Sequence, residues 1–410
     1  MIILEITSAI LLTTLFFWAV YNGYILFAGT KSKYKNSPSE WNSQDESFPK
    51  ISLIVPTKNE EAVIQRCLDS ILQIDYPEDR MEIIVVDGNS KDASRKICSE
   101  YAAKHLNIRV INESESKGKP AALNLALPHV TGEIIGVFDA DSVLEKQVLK
   151  KAAYYFKDQK IMALQGRTIA LNERRNILTR VTAMEEKAWF QALISGREKL
   201  KLFVPLTGSC QFVRRNVLEE LGGWDENSLT EDVELALRLV EKNHLIKYAP
   251  DVCSGQETPN GLGELFKQRV RWYRGYMETA LKYGRLLNSL NRKTVDAEIS
   301  LAGPFIMVGS LLSYINWFLV ALFLSESTPI LNFTGLVIAL TAVSLMTVGI
   351  SLTAIEKPIR LRNLLWIPSI YVYWLIQMCI AGWAFLKLLF RRKRDWTKTD
   401  KKGFITPNLA

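Results

Sequence analysis

The chain has 410 residues, 48% of them hydrophobic, and a formal net charge of +8. Its length leaves room for more than one domain. Five cysteines without C-x-x-C spacing and three scattered histidines give no support for a disulfide framework or a zinc site. The basic residues cluster beside hydrophobic stretches instead of covering the chain, which argues against nucleic-acid binding.

Long uncharged stretches lie at both ends of the chain. The first, Ile6–Thr30, is long enough to span a bilayer and lacks the basic start and small-residue cleavage site of a signal peptide. Three more follow a long region of ordinary globular composition, at Ile299–Ser325, Ser327–Ile355 and Asn363–Leu386. The sequence therefore predicts an integral protein of the cell membrane with one soluble domain between its membrane segments.

Basic residues beside these stretches predict the orientation. Lys31–Lys35 place the soluble domain in the cytosol, and Lys357–Arg362 and Arg391–Arg394 place a later turn and the tail there too. A cytosolic tail is inconsistent with three full spans after a cytosolic domain, because three crossings leave the C-terminus outside. Pro368 offers an interfacial or re-entrant last segment as the alternative to a full span. The sequence leaves both open.

The soluble region alternates strands and helices. Thr57–Glu61 is expected to cap a helix that runs to about Gln73, another helix begins near Asp92, and a short one follows Lys117. Apolar, β-branched runs predict strands at Ile51–Val55 (stopped by Pro56), Met81–Val86, Asn107–Asn112 and Glu133–Phe138. This order predicts an α/β domain with a doubly wound, mostly parallel sheet.

Two carboxylates, Asp139 and Asp141, follow the fourth strand directly. Residues two apart on a strand lie on the same side, where like charges repel unless a cation lies between or beside them. Hard oxygen ligands at the carboxyl end of a buried strand suit Mg²⁺ or Mn²⁺ carrying a phosphorylated ligand. A solvated loop is the alternative interpretation.

Polar residues also lie at the ends of the other predicted strands, where sheets of this kind bind ligands. Thr57–Glu60 follow the first strand, Asp87 follows the second, and Lys119 precedes the fourth. An acid at the second strand end suits a ribose or a base edge, and Lys119 beside Gly118 suits a phosphate oxygen. A helix cap or a solvated loop is the alternative for each. No G-x-G-x-x-G follows the first strand, so a nicotinamide or flavin site is not predicted.

Two later segments carry further candidates. Asp232 lies at the start of a predicted helix, Val233–Glu241, where Thr230 capping and the helix dipole are a sufficient structural explanation. A carboxylate fixed there and facing a metal is also placed to act as a general base. Leu262–Leu287 predicts an amphipathic helix with a basic face, suited to anionic headgroups. Its segment Gln268-Arg-Val-Arg-Trp272 also offers a guanidinium for a diphosphate and an indole for a sugar ring.

In order, these segments resemble the membrane-embedded family 2 glycosyltransferases, which include the synthases of cellulose, chitin, hyaluronan and poly-N-acetylglucosamine. The resemblance covers about Ile51 to Tyr276 and rests on Pro56-Thr-Lys-Asn-Glu60, Asp87, Lys117-Gly-Lys-Pro-Ala-Ala-Leu-Asn124, Asp139-Ala-Asp141, Thr230-Glu-Asp232 and Gln268-Arg-Val-Arg-Trp272. It implies a GT-A-like fold flanked by transmembrane helices. Thr-Glu-Asp followed by Val-Glu-Leu is closer to the poly-N-acetylglucosamine and cellulose branches than to typical hyaluronan synthases.

The resemblance also implies an activity. An inverting enzyme would move a hexose or N-acetylhexosamine from a UDP-sugar onto a growing polysaccharide, form β-linkages, and use Mg²⁺ or Mn²⁺. Transfer of a single sugar to a lipid, as by the similar ceramide glucosyltransferases, is the alternative; a catalytically dead scaffold for polysaccharide export is a third. The expected partners are the UDP-sugar, a polysaccharide or lipid acceptor, and membrane lipids. The sequence names no accessory subunit.

The resemblance assigns roles residue by residue. Asp232 would be the catalytic base, and Asp139 and Asp141 would bind the metal, with Asp141 the firmer ligand. The segment Trp396-Thr-Lys-Thr-Asp-Lys401 resembles a mobile loop that closes over the nucleotide in some synthases; a solvated basic tail is the alternative. The residues implied to bind substrates are Thr57, Glu60, Asp87, Lys119, Asp139, Gly208, Ser209, Cys210, Gln268, Arg271 and Trp272.

The expected domain organisation follows from these assignments. It comprises an N-terminal transmembrane helix (1–30), a linker (31–50), a cytosolic glycosyltransferase domain (51–260), an amphipathic interfacial helix (261–290), C-terminal membrane segments (299–390) and a basic cytosolic tail (391–410).

Overall fold

The computed structural model describes residues 2–30, 48–284, 291–323, 361–392 and 398–404, and single helical positions between 335 and 349. Several predicted features therefore lie wholly or mostly outside the described residues. These are the linker with Lys31–Lys35, the third hydrophobic stretch Ser327–Ile355, the basic residues Lys357 and Arg360, and Trp396.

Within the described residues, the strands are β1 (Ile51–Thr57), β2 (Met81–Asp87), β3 (Ile108–Asn112), β4 (Ile134–Val137), β5 (Val143–Leu144), β6 (Ile161–Ala170), β7 (Gln211–Arg214) and β8 (Leu245–Gln256). They form one sheet in the order β3-β2-β1-β4-β7-β6-β8-β5. The pairs β1–β2, β1–β4, β2–β3 and β6–β8 are parallel, and the pairs β4–β7, β6–β7 and β5–β8 are antiparallel.

The helices are α1 (Ile2–Thr30), α2 (Ile64–Leu72), α3 (Ser94–Lys104), α4 (Lys119–Ala126), α5 (Val148–Phe156), α6 (Ile177–Ala188), α7 (Ser195–Lys199), α8 (Arg215–Glu220), α9 (Glu231–Glu241), α10 (Leu262–Tyr283), α11 (Arg292–Leu301), α12 (Gly303–Phe323) and α13 (Ile367–Leu389). A π-helical turn, Trp189–Ile194, follows α6. Short 3₁₀ turns lie at Glu78–Arg80, Leu127–His129 and Leu361–Trp366.

The two faces of the sheet are covered by different helices. Successive residues of a strand point to opposite faces, so Leu53 packs in one hydrophobic core and Ile54 in the other. The core around Leu53 contains residues of α2, α3 and α5. The core around Ile54 contains residues of α4, α8, α9 and α11. The predicted α/β, doubly wound, mostly parallel sheet is therefore confirmed.

Two local predictions at the end of β1 were wrong. The strand does not stop at Pro56 but continues to Thr57 beside β2. The proline is tolerated because the pairing with β4 has already ended at Ile54. Thr57–Glu61 also does not cap a helix directly. A turn with Asn59 at φ 52° intervenes, and α2 begins at Ile64.

Other helix boundaries also differ from the predictions. Helix α9 begins at Glu231, and Thr230 forms no side-chain cap. Instead, the Thr230 hydroxyl lies 3.4 Å from the hydroxyl of Thr279 on α10, because the two helices meet there. The described part of α10 ends at Tyr283, four residues before the predicted end at Leu287.

Two described helices are long and apolar enough to cross a membrane, Ala9–Thr30 and Ile367–Leu389. A third becomes a candidate if α11 and the first part of α12, which meet at 43°, are counted as one span. The last hydrophobic stretch is an unbroken helix, since Pro368 lies in its first turn, where a missing N–H costs no helical hydrogen bond. This helix is long enough to span a membrane, and the choice between a full span and an interfacial or re-entrant segment stays a prediction.

Helix α1 packs directly on the domain that contains the sheet. A Cβ at Gly29 would lie 1.8 Å from the carbonyl oxygen of Ala192, and a Cβ at Gly196 would lie 2.0 Å from that of Ile25. Glycine at both positions lets the two backbones touch, as at close helix crossings in membranes. Helix α1 is thereby fixed against the π-helical turn and α7.

Candidate active site

Polar side chains converge at the carboxyl ends of β1, β2 and β4 and at the starts of α4 and α9. The parallel register of β1 with β2 places Thr57 beside Asp87. The loops after β4 and before β7 carry the acids and the glycine that complete the cluster. Parallel sheets bind ligands at this edge, so the topology explains why residues distant in sequence meet here.

The end of β2 holds an incompletely paired carboxylate. Asp87 is buried, and its Oδ2 accepts hydrogen bonds from Arg95 Nε (2.9 Å) and the Ser90 N–H (3.2 Å). Its Oδ1 has no partner among the described residues, and neither does Oε2 of buried Glu113. A Cβ at Gly88 would lie 3.1 Å from that Oε2. Glycine at position 88 therefore leaves room for the Glu113 carboxylate.

Glu113 was not among the predicted site residues. It follows β3 directly, so the strand-end argument applied to the other strands would have found it. Burial raises the pKa of its carboxyl group. A ligand that donates an N–H or O–H would satisfy the oxygen that the protein leaves without a partner.

The turn after β1 serves two different purposes. Thr57 is buried, and its carbonyl oxygen accepts the N–H of Gly88 (2.8 Å), which ties the first two strand ends together. Glu60 instead turns toward the C-terminal tail, with its Oε1 3.1 Å from Lys398 Nζ. Burial raises the pKa of Glu60 to about 8 even though the Lys398 ammonium opposes the shift.

Lys119 connects the two acidic parts of the site. Its Nζ lies 2.5 Å from Asp139 Oδ1, 2.7 Å from the carbonyl oxygen of Gly208 and 3.8 Å from Glu231 Oε1. Lys119 is the first residue of α4, and Gly118, which precedes the helix, has a φ of 107°. The ammonium therefore joins the carboxylates after β4 to those at the start of α9.

The two acids proposed from sequence as metal ligands differ in exposure and in partners. Asp139 keeps 38% of its side chain exposed. Asp141 is buried, and its Oδ2 accepts the N–H of Glu257 (2.9 Å) and the ammonium of Lys401 (2.7 Å). Burial opposes ionisation, but Lys401 and the Glu257 N–H outweigh it and lower the pKa of Asp141.

This donor set fits a hard divalent cation. Among the described residues, no group of three or more His, Cys, Asp or Glu side chains converges as a complete metal cage. Mg²⁺ is usually held by one or two carboxylates together with substrate phosphates and water, rather than by a complete cage of protein ligands. Asp139 and Asp141 supply that number of hard oxygen ligands, next to a sheet edge suited to a phosphorylated ligand.

Asp232 lies on the other side of Lys119, at the start of α9. Its Oδ1 accepts the N–H of Val233 (2.8 Å). Its Oδ2 would lie 3.0 Å from a Cβ at Gly208, whose φ is +79°. Burial, with the charge of adjacent Glu231, raises the pKa of Asp232 to about 7. A carboxyl group with that pKa can take a proton at neutral pH.

Two of the three residues in the loop Gly208–Cys210 contact the cluster. Gly208 contacts both Lys119 and the region of Asp232, and Ser209 Oγ accepts the N–H of Asp139 (3.2 Å). Cys210 has φ 50°, is fully buried, and directs its thiol at the carbonyl oxygen of Val252 (3.6 Å). The structure brings the first two to the cluster and turns the cysteine side chain into the core.

Helix α10 reaches the cluster through Arg271. The charge of its guanidinium lowers the pKa of Asp232, opposing the effect of burial, and its Nη1 donates to the carbonyl oxygen of Leu229 (3.5 Å). The Trp272 ring lies 4.5 Å from the guanidinium carbon of Arg269, which is itself paired with Glu185 at 2.5 Å. Gln268 is partly buried, and no hydrogen bond joins it to the cluster within the described residues.

The family model described as "Glycosyltransferase like family 2" matches residues 49–275, which is more than half of the chain. The chain belongs to this family and is a glycosyltransferase. The predicted family and the GT-A-like fold are therefore confirmed.

Two relatives illustrate the range of the family. The β-monoglucosyldiacylglycerol synthase of a Nostoc species is 30% identical over 87% of this chain and 77% of that protein. The poly-β-1,6-N-acetyl-D-glucosamine synthase of Staphylococcus epidermidis is 25% identical over 94% of this chain and 95% of that protein.

A solved structure supports the same fold. The mannosyltransferase of Pyrobaculum calidifontis, in complex with GDP-mannose and Mn²⁺, superposes with a TM-score of 0.64 at 21% identity. The match covers 95% of this chain and 100% of the other. At this identity the similarity concerns the fold and leaves the donor to be argued from the site.

Proposed function

We propose that the protein is an inverting transferase that moves a hexose or N-acetylhexosamine from a UDP-sugar onto an acceptor hydroxyl at the membrane. The observation that carries the proposal is the cluster in which Lys119 joins Asp139 to the acidic start of α9. A cation at a strand-end edge of the kind that binds phosphorylated ligands, and a carboxylate with a pKa of about 7, support the proposal together.

The proposed proton acceptor is Asp232. A base near neutrality removes the proton of the attacking hydroxyl as the new glycosidic bond forms. Attack from the face opposite the leaving diphosphate inverts the anomeric carbon, which gives a β-linkage from an α-linked donor. Lys119 and Arg271 supply positive charge beside the leaving group.

Asp139 and Asp141 are the residues that would hold Mg²⁺ or Mn²⁺. Bound there, the metal would neutralise negative charge that develops on the departing diphosphate. Asp141 is the firmer candidate because its pKa is lowered and it therefore stays ionised.

The nucleoside is proposed to lie against Asp87 and Glu113. Their partnerless oxygens, Oδ1 and Oε2, can accept a base N–H or ribose hydroxyls. Thr57 and the turn to Glu60 border the same edge. Gly208, Ser209 and Trp272 are proposed to face the acceptor, and Gln268 and Cys210 to support the shape of that region.

Two acceptors are proposed in order. A growing polysaccharide comes first, since the poly-N-acetylglucosamine synthase matches almost the whole chain. A diacylglycerol-type lipid comes second, because the glucolipid synthase is similar over 87% of the chain at 30% identity. In either case residues 51–260 are proposed as the cytosolic catalytic domain, 261–290 as an interfacial helix, and the flanking segments as membrane anchors.

The test is a transfer assay with isolated membranes and a panel of radiolabelled UDP- and GDP-sugars. The proposal expects incorporation from one UDP-sugar that requires Mg²⁺ or Mn²⁺. A product ladder on a sizing gel would assign the polysaccharide, and a single chloroform-soluble species would assign the lipid. Incorporation from GDP-sugars alone, or full activity in excess chelator, would contradict it.

A further inference from the structure

The C-terminal segment 398–404 lies against the metal end of the site. At one end, Lys398 Nζ is 3.1 Å from Glu60 Oε1. Further along, the backbone N–H of Lys402 donates to Glu257 Oε2 (3.1 Å). Because the segment is held at these two points, the position of Lys401 between them is restricted.

A third anchor lies at the end of the described segment. The guanidinium carbon of Arg175 lies 3.3 Å from the centre of the Phe404 ring. The segment is thus held on both sides of Lys401 by contacts that do not involve Asp141.

Lys401 contacts an oxygen of the proposed metal ligand Asp141. Its Nζ lies 2.7 Å from Asp141 Oδ2 and 2.6 Å from the carbonyl oxygen of Glu257. Its side chain is 13% exposed, and that of Asp141 is 4% exposed. Hydrogen bonds from an ammonium to a buried carboxylate are among the stronger ones in proteins.

Among the described residues, each of four carboxylates at this end of the site forms an ion pair with a different basic side chain. The pairs are Lys119–Asp139 (2.5 Å), Lys401–Asp141 (2.7 Å), Lys398–Glu60 (3.1 Å) and Arg66–Glu257 (3.2 Å). Two of the four cations come from the tail. A divalent ion on Asp141 would bring two further positive charges to an oxygen that the Lys401 ammonium already occupies.

We propose that Lys401 is an intramolecular stand-in for the divalent cation, which the metal must displace from Asp141 in order to bind. The inference rests on the proposed function, because it takes Asp141 to be the metal ligand. Without metal, the ammonium keeps a buried carboxylate paired. When metal binds, the like charges separate, so metal loading moves Lys401 away from Asp141 while Lys398 and Phe404 hold the segment nearby.

The first test is a Mn²⁺ titration of the full-length protein in detergent micelles without any sugar nucleotide, with free Mn²⁺ measured by electron paramagnetic resonance. Lys401→Gln removes the competing charge, so its affinity for Mn²⁺ should be about tenfold higher than that of the wild type. Lys402→Gln is the matched control: it removes the same charge one residue later, where the side chain is exposed, and should bind as the wild type does.

The variant Asp141→Asn distinguishes the hypothesis that Asp141 binds the metal from the hypothesis that Lys401 competes with the metal. If it loses Mn²⁺ binding while Lys401→Gln binds no more tightly than the wild type, the metal site stands and the role of Lys401 is overturned. If Asp141→Asn binds Mn²⁺ normally, the proposed metal site is wrong and the inference falls with it.

A second readout follows the displacement itself and needs no variant. Trypsin cleaves after exposed lysines, and Lys401 is largely covered. Saturating Mn²⁺ should raise the initial rate of cleavage after Lys401, measured by mass spectrometry, several-fold relative to a chelator-treated sample. An unchanged rate at a Mn²⁺ concentration that saturates the site would contradict displacement.

Discussion

Asp232 and Asp141 belong to the same cluster but have opposite surroundings. Asp141 accepts a backbone N–H and an ammonium, and its pKa is lowered. Asp232 lies beside another acid, Glu231, and its pKa is raised to about 7. Burial acts in the same direction on both, so the difference comes from the neighbouring groups.

The contrast fits the two tasks that we propose for these carboxylates. A group that must hold a cation has to remain ionised, whereas a group that takes up a proton needs a pKa near the working pH. Lys119 lies between the two groups of acids: it is bonded to Asp139 and lies near Glu231. Its positive charge limits the rise in the pKa of Asp232.

The largest expected effect comes from replacing the proposed base. Asp232→Asn should lower the rate of sugar transfer by about 10²–10⁴-fold, the usual contribution of a general base. Donor affinity, measured by calorimetry, and the Mn²⁺ titration should remain as in the wild type. Asp251→Asn, an acid bonded to Tyr155 outside the cluster, is the matched control and should remain active. Equal losses of donor affinity and turnover would refute the assignment.

The pH profile tests the same contrast without a mutation. Protonation of Asp232, whose pKa is about 7, should abolish its action as a base. We therefore expect kcat/KM to fall about tenfold for each pH unit below about 7. Mn²⁺ affinity should stay level over that range, because the lowered pKa of Asp141 keeps it ionised. A rate profile that is flat down to about pH 5 would contradict a base of this kind.

A smaller effect is expected from crowding the base. A Cβ at Gly208 would lie 3.0 Å from Asp232 Oδ2 and 3.3 Å from Lys119 Nζ, at a backbone φ of +79°. Gly208→Ala should lower kcat by about tenfold, since small displacements of a catalytic group are costly. Gly222→Ala has the same backbone strain at φ +76° with nothing within 4 Å, and should retain kcat. Equal losses in the two variants would indicate strain alone.

The sequence predicted the parts of the site that lie on regular elements. Asp87 and Asp139 follow strands whose apolar runs are visible by inspection, so their placement at one sheet edge follows from a parallel fold. Asp232 required the resemblance to a known family, because a helix cap explained its position equally well.

The contacts that were missed depend on long-range packing. Lys401 meets Asp141 although 260 residues separate them in the chain, and no local pattern encodes the docking of a basic tail. Cys210 adopts a positive φ of 50°, which its sequence neighbours do not predict. Glu113 is a different case, since the strand-end argument was available and was not applied to β3.

Glu113 provides the smallest and most discriminating prediction. Its Oε2 has no partner among the described residues, and burial raises its pKa, so above that raised pKa the folded protein holds an unfavourable buried charge. Glu113→Gln should therefore raise the melting temperature at pH values where the wild-type carboxylate is ionised, and the gain should vanish as acidification protonates it. If the oxygen accepts a donor group of the nucleoside, the same variant should weaken UDP binding by about three- to tenfold. If Glu113→Gln is less stable than the wild type and also binds UDP more weakly, Glu113 has a structural role. If the variant is more stable but binds UDP more weakly, the Glu113 oxygen accepts a hydrogen bond from the ligand.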